Sequence, residues 1–180
     1  MPAIHDETRS RWEQYPPERF IQQVIHGTLH EKVNTAYTVI HVYTQILHQL
    51  PATAVMEIQT PGEFEATHLR ELFVEMRDSI AAVHETSEDE TPTLPADYTP
   101  GDYILHVVHQ MRKPISRLTQ CAEAVQADAD LCITVLPELG SRRLGGIVAE
   151  ILKHASDINQ LLEFAQTYAE NLTHHARTAN

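Results

Sequence analysis

Glycine is scarce in this sequence, at six residues in 180. The pair in "LGG" at 144–146 is too short, and lacks the strand–loop–helix setting, to cradle a nucleotide phosphate. Cysteine occurs twice, as Cys121 and Cys132, outside any C-x-x-C pair. Cys121 fits an apolar helical pattern and is expected to be a reduced core thiol rather than a disulfide partner or metal ligand. Basic residues number 13 against 25 acidic ones, a formal charge of −12. Such a chain repels nucleic acid and anionic membrane. No apolar run approaches the ~20 residues of a membrane span. The opening "MPAIHDETRSRWEQYPPERF" has no apolar core of a signal peptide. A soluble, cytoplasmic protein is the expectation.

What is present is helix-forming sequence, with 42% apolar residues, enough to bury a core. Prolines, glycines and polar clusters divide it into four amphipathic stretches, at about residues 18–50, 63–85, 102–127 and 147–172. Residues 1–17 read as an N-terminal extension, 86–101 as an acidic, proline-rich linker, and 173–180 as a frayed tail. The connection "DADLCITVLPELGSRRLGG" contains a short apolar run with room for a turn of helix. The order is hairpin (18–85), linker, hairpin (102–172). Neither hairpin buries its apolar stripe alone, so the fold expected is an all-α four-helix bundle made by one chain.

The halves repeat. An offset of 79 residues lays His30 on His109, Leu29 on Val108, Ala36 on Ile115, Glu71 on Glu150 and Asp78 on Asp157. A second match, "YPPERFIQQVIH" on "YTPGDYILHVVH", uses an offset of 83 and lays His26 on His109. The offsets differ by four residues, about one helical turn, which leaves the register of the first histidine open between His26 and His30. Pseudo-twofold symmetry is expected, with helices one and three paired centrally and His30 and His109 on opposite flanks at similar height.

Within "YILHVVHQMRKPISRLTQCAEAV", 103–125, the apolar residues keep helical spacing on both sides of Pro114. An interior proline costs a helix about 3 kcal/mol, so its presence asks for a reason. The string "HQMRKPI" resembles the H-box of sensor histidine kinases, His-Glu-x-x-(Thr/Asn)-Pro-(Leu). The stretch "VAEILKHASDINQLLEFAQTYAE" resembles the second helix of the same dimerisation and histidine-phosphotransfer domain, and "LHEKVNTAYTVIHVYTQIL" carries His30, Glu31 and Asn34 in H-box order, with Thr35 in place of the proline. The resemblance implies that His109 or His30 accepts phosphate, that Pro114 bends its helix without ending it, and that Arg112, Lys113 and Pro114 belong to a binding surface. The implied partner is a response-regulator receiver domain or a histidine kinase. An imidazole suits the chemistry, because a fair fraction is unprotonated near neutral pH and its nitrogen is a good nucleophile.

The departures from the motif set limits. Around His109 the acid and the amide of the family are replaced by Gln110 and Lys113, while Glu31 and Asn34 keep both around His30. The His30 side is thus the better candidate for promoting phosphate loss, and the His109 side for docking or simple transfer. No ATP-binding domain follows the fourth helix, so a histidine phosphotransferase is the most that is expected, with no autokinase activity and no cofactor. Two alternatives stand beside it. One is a non-catalytic bundle that docks the same partners, in line with Gln110 and Thr35. The other is a metal-binding bundle, invited by twelve histidines and the pairs His26/His30 and His106/His109. Only "EATH", 65–68, has Glu-x-x-His spacing, and a di-iron bundle needs it in both hairpins. No metal is therefore expected.

Overall fold

The computed structural model describes residues 6–49, 66–88, 98–127, 135–136 and 142–179. Among them the chain is all-α, apart from one two-residue antiparallel pairing. Helix α1 spans Asp6–Glu13 and α2 spans Pro17–Phe20. A nine-residue π-helix, Ile21–Leu29, continues from α2 without a break into α3, His30–Gln49. Helix α4 covers Ala66–Glu88, α5 Pro100–Gln126 and α6 Leu144–Thr178.

Both hairpins begin at proline. Pro16 is the extended N-cap of α2, with Pro17 in its first turn. Thr99 caps α5, with Pro100 following. Proline suits that position, since its missing N–H would have no helical partner there. Thr99 adds a capping box: its hydroxyl accepts from the Asp102 N–H at 3.2 Å, and the Asp102 carboxylate accepts from the Thr99 N–H at 3.1 Å.

The long helices α3, α4, α5 and α6 pack as a helical bundle, each against its chain neighbours, and α3 closes on α6. Within the first hairpin the helices are antiparallel: His30 meets Ser87, Thr44 meets Phe73, and the Arg70 guanidinium donates to the Leu47 carbonyl. One continuous core takes Phe20 from α2, Ile40 and Leu47 from α3, Phe73, Met76 and Ile80 from α4, Met111 and Ile115 from α5, and Ile151 and Leu162 from α6. Truncating any of these fully buried side chains to alanine costs about 2–5 kcal/mol. Thr44 is a buried polar exception, and its hydroxyl is satisfied by the Ile40 and Phe73 carbonyls.

Two expectations need correction. The helices expected to pair centrally, α3 and α5, stand diagonally, because each is flanked by α4 and α6. The tail is helical to Thr178, since the end of α6 packs beside the start of α5: Leu172, Thr173 and Ala176 share a cleft with Pro100 and Gly101. Before α6, Val135 pairs with Arg143 and Leu136 with Arg142 as a two-residue β-bridge; the rest of that connection, where a turn of helix was expected, lies outside the described residues. The described part of the N-terminal extension is docked on the bundle: Trp12 is buried against Phe164 at 5.8 Å between ring centroids, and the Tyr168 hydroxyl donates to the Tyr15 carbonyl at 2.6 Å. Cys132 and most of the two expected loops, 51–62 and 86–101, lie outside the described residues.

The two offsets of the repeat hold in different places. At the helix entries, Pro16 and Thr99 are equivalent caps, 83 residues apart. Deeper in the bundle, Leu29, Val33, Ile40, Thr44 and Leu47 occupy the buried stripe, as do Val107, Met111, Leu118, Ala122 and Val125, each 78 residues on. The π-helix lies between these two registers. Its i→i+5 bonding takes more residues per turn than an α-helix, so it absorbs part of the extra length of the first half.

Candidate functional site

His30 is the residue at which the wide turns end. Its backbone N–H still reaches back to the Ile25 carbonyl, five residues away, and the Thr28 hydroxyl likewise donates to Gln23. Beyond His30 the chain is α-helical. The buried stripe runs 78 residues apart in the two halves, whereas His30 and His109 are 79 apart. The difference of one residue rotates His30 by about 100° relative to His109. That rotation has visible consequences: His30 is half-buried and turned onto α4, while His109 is exposed.

On α4 the ring of His30 meets a polar cluster. Its Nδ1 is 2.9 Å from the Ser87 hydroxyl, and that hydroxyl donates to the His84 carbonyl at 2.8 Å. His84 Nε2 lies 3.2 Å from the Asn34 side-chain oxygen. The His30 and His84 rings are 5.7 Å apart, and Tyr37 stacks between His84 at 4.7 Å and His41 at 5.7 Å. His30 and Asn34 are thus brought together around His84. Glu31 is exposed, and its side chain does not join the cluster.

His26, the other candidate register, is committed elsewhere. Its Nε2 is 3.1 Å from the Tyr103 hydroxyl, and the two rings stack. This contact brings the start of α5 level with the π-helix, so one turn on, His30 and His109 lie within about a turn of the same height.

Around His109 the helix is uninterrupted: Pro114 sits inside α5, half-buried, and the helix continues twelve residues past it to Gln126. The Gln110 backbone carbonyl loses its usual partner there, since proline has no N–H. The Gln110 side chain turns to His106, 3.4 Å away, not to His109. Arg112 crosses to α6 and donates to Gln166, whose amide in turn donates to Glu170. Lys113 is exposed. The candidate residues of this half therefore divide: His109 and Lys113 face solvent, while Arg112 ties α5 to α6. The stretch from 103 to 122 contains Arg112, Lys113 and Arg117 and no acid, within a chain of charge −12. Arg117 is paired with Glu75 at 2.7 Å, partly exposed.

Glu75 also accepts from the Cys121 thiol at 3.2 Å. Burial, then the hydrogen bond and charge of Glu75, push this thiol up to about 11, so it stays protonated and inert at neutral pH. Among the described residues no group of three or more His, Cys, Asp or Glu side chains could hold a metal ion, and no helix is long and apolar enough to cross a membrane.

Sequence reasoning assigned Ser87 to the linker and gave His84 and Gln166 no role. The signal for Ser87 was available: Phe73, Met76, Ile80 and Val83 form a stripe whose next helical position is 87. Comparison with known protein families, curated proteins and solved structures finds no match to the chain.

Proposed function

We propose that the bundle docks a response-regulator receiver domain and exchanges or removes phosphate through a histidine on its surface. The observation that carries this reading is His109. It is exposed on an unbroken helix beside Pro114 and Lys113, in a cationic stretch of an otherwise acidic chain. A receiver brings an acidic pocket with its own Mg²⁺ and aspartyl phosphate, and the bundle supplies only imidazole. Charge complementarity of that kind raises the association rate and fixes orientation.

A second reading, non-catalytic docking of a receiver or a kinase, is favoured by one feature: Gln110, in the place of the motif's acid, is engaged with His106 and does not orient the His109 ring. Incubation with phosphorylated receiver domains from the same cell separates the two. Acid-labile phosphate on the chain, lost in His109→Ala or His30→Ala with receiver binding retained, supports transfer at that residue. Binding without phosphate on either variant or the parent supports docking alone. Absence of binding to every receiver and kinase tested removes both.

A further inference from the structure

We propose that Ser87 is a positioning residue for His30, holding its ring in the Nδ1–H form so that Nε2 is the one nucleophilic nitrogen. This inference rests on the phosphotransfer reading above for its chemistry, and on Ser87 alone for its geometry. A serine hydroxyl has one proton. Ser87 is 2% exposed, and its proton is given to the His84 carbonyl at 2.8 Å. With its proton on the His84 carbonyl, the hydroxyl offers lone pairs to His30, and the 2.9 Å contact is then made with Nδ1 as the donor. The other nitrogen, Nε2, then carries the lone pair. Free histidine in water prefers the opposite tautomer, with the proton on Nε2, so the contact reverses an intrinsic preference. His109 has no corresponding partner among the described residues, and nothing there holds its tautomer.

The form held by Ser87 suits attack on an acyl phosphate. The Nε2 lone pair forms the N–P bond as the phosphorus–oxygen bond to the aspartyl carboxyl breaks. The carboxylate leaves with the bonding electron pair. No proton has to leave Nε2. The ring becomes cationic while the phosphoryl group keeps its two negative charges. As that positive charge grows, the Nδ1–H···Oγ hydrogen bond becomes charge-assisted and strengthens, so Ser87 stabilises the product side of the step more than the free ring. The donation of Ser87 to a helix carbonyl polarises its oxygen in the helpful direction. His84 stands at 5.7 Å with its Nε2 toward Asn34, leaving the His30 contact to Ser87 alone.

The test has two arms on the full chain. The first is ¹⁵N-resolved NMR of the imidazoles at about pH 9, where ordinary histidine rings are neutral. His30 in the parent should be predominantly Nδ1–H and should revert toward Nε2–H in Ser87→Ala, with the resonances of His26, held against Tyr103, unchanged as the control for folding. An Nε2–H ring in the parent, or a ring unmoved by Ser87→Ala, overturns the assignment. The second arm uses phosphoramidate, a small phosphoryl donor, and follows acid-labile phosphate at His30 by mass spectrometry. Uptake should slow about tenfold in Ser87→Ala, the size of one lost hydrogen bond, with donor saturation unchanged. Unslowed uptake overturns the positioning role. The Nδ1–H form with no uptake from phosphoramidate or any phosphorylated receiver upholds the Ser87 contact and overturns the phosphotransfer reading instead.

Discussion

The two hairpins share a plan and differ at its centre. In the first, His30 is half-buried and reaches across to Ser87 on α4. In the second, the residue that reaches across is Arg112, to Gln166 on α6, and His109 is left in solvent. Ser87 and Gln166 are themselves 79 residues apart. Equivalent places on the second helices are thus used for the same purpose, a polar tie between the helices of a hairpin, but from different residues of the first helices. A shift of one residue in the buried stripe is enough to exchange a held histidine for a free one. Two hairpins can differ in this way without loss of the core, because the stripe needs only apolar volume in phase.

The comparison breaks first if the hairpins are separate folding units. Phe20 belongs to the first and is fully buried, stacked at 3.8 Å on Tyr168 of the second, with planes 5° apart. Phe20→Ala should cost about 3–5 kcal/mol. It should lower a single cooperative unfolding transition, read in urea by circular dichroism. Two transitions, with only one of them moved, would mean that the halves do not share one core.

A smaller effect sharpens the contrast at the proline. Thr35 stands in the first half where Pro114 stands in the second, and its hydroxyl back-bonds to the Glu31 carbonyl at 2.9 Å. Thr35→Pro removes a helical N–H from α3 and should cost about 3 kcal/mol. Pro114→Ala restores one to α5 and should stabilise, by about 1–3 kcal/mol, unless the surrounding packing is shaped to the ring. Equal and opposite shifts in the denaturation midpoint would mean that the proline is tolerated and not needed for folding, leaving function as the reason for its presence. Loss of stability in Pro114→Ala would assign it to packing.

Much of the fold was legible beforehand because helices with strong apolar periodicity announce themselves. The starts at Pro16–Pro17 and Thr99–Pro100, the uninterrupted passage through Pro114 and the burial of Cys121 all follow from local rules. The π-helix is a different case. Nothing in "IQQVIHGTL" distinguishes wide turns from ordinary ones, and the choice is made by packing, where four extra residues between cap and histidine must be accommodated. The two competing repeat offsets were its trace in the sequence. Ser87 was assigned to the linker because acid and proline follow it closely, although its helical phase placed it on the buried face. Arg112 illustrates the opposite limit: its position in the motif pointed to a partner surface, and its length let it turn to Gln166.

The third test compares the histidines directly. His30→Ala removes the donor to a buried hydroxyl and should cost about 1–2 kcal/mol. His109→Ala touches an exposed, unheld ring and should stay within about 0.5 kcal/mol. Thermal denaturation at one pH measures both. A loss from His109→Ala as large as that from His30→Ala would mean that His109 has a structural partner after all, and the distinction between a held and a free histidine would fail.

The smallest effect concerns the entries to the two hairpins. The first begins at Pro16 with no side-chain cap, and the second at the Thr99–Asp102 box. The Thr99 hydroxyl and then its backbone N–H, both bonded to the Asp102 carboxylate, hold that carboxyl below its ordinary value of 3.8. For an acid whose value is lowered by folding, the stabilisation is complete above the unfolded value and disappears as pH falls through the folded one. The box should therefore support the start of α5 above about pH 4 and weaken below it. Thr99→Ala should cost about 0.5–1 kcal/mol at neutral pH, the usual loss for a cap. Because the hydroxyl is the larger of the two causes, the variant should also lose stability less steeply than the parent as pH falls below about 4, so that the two curves converge in acid. Urea midpoints collected between pH 2.5 and 6 on both proteins provide the comparison. Parallel curves would mean that the Thr99 hydroxyl does not hold the Asp102 carboxylate in solution, and that the two hairpins enter the bundle on equal terms.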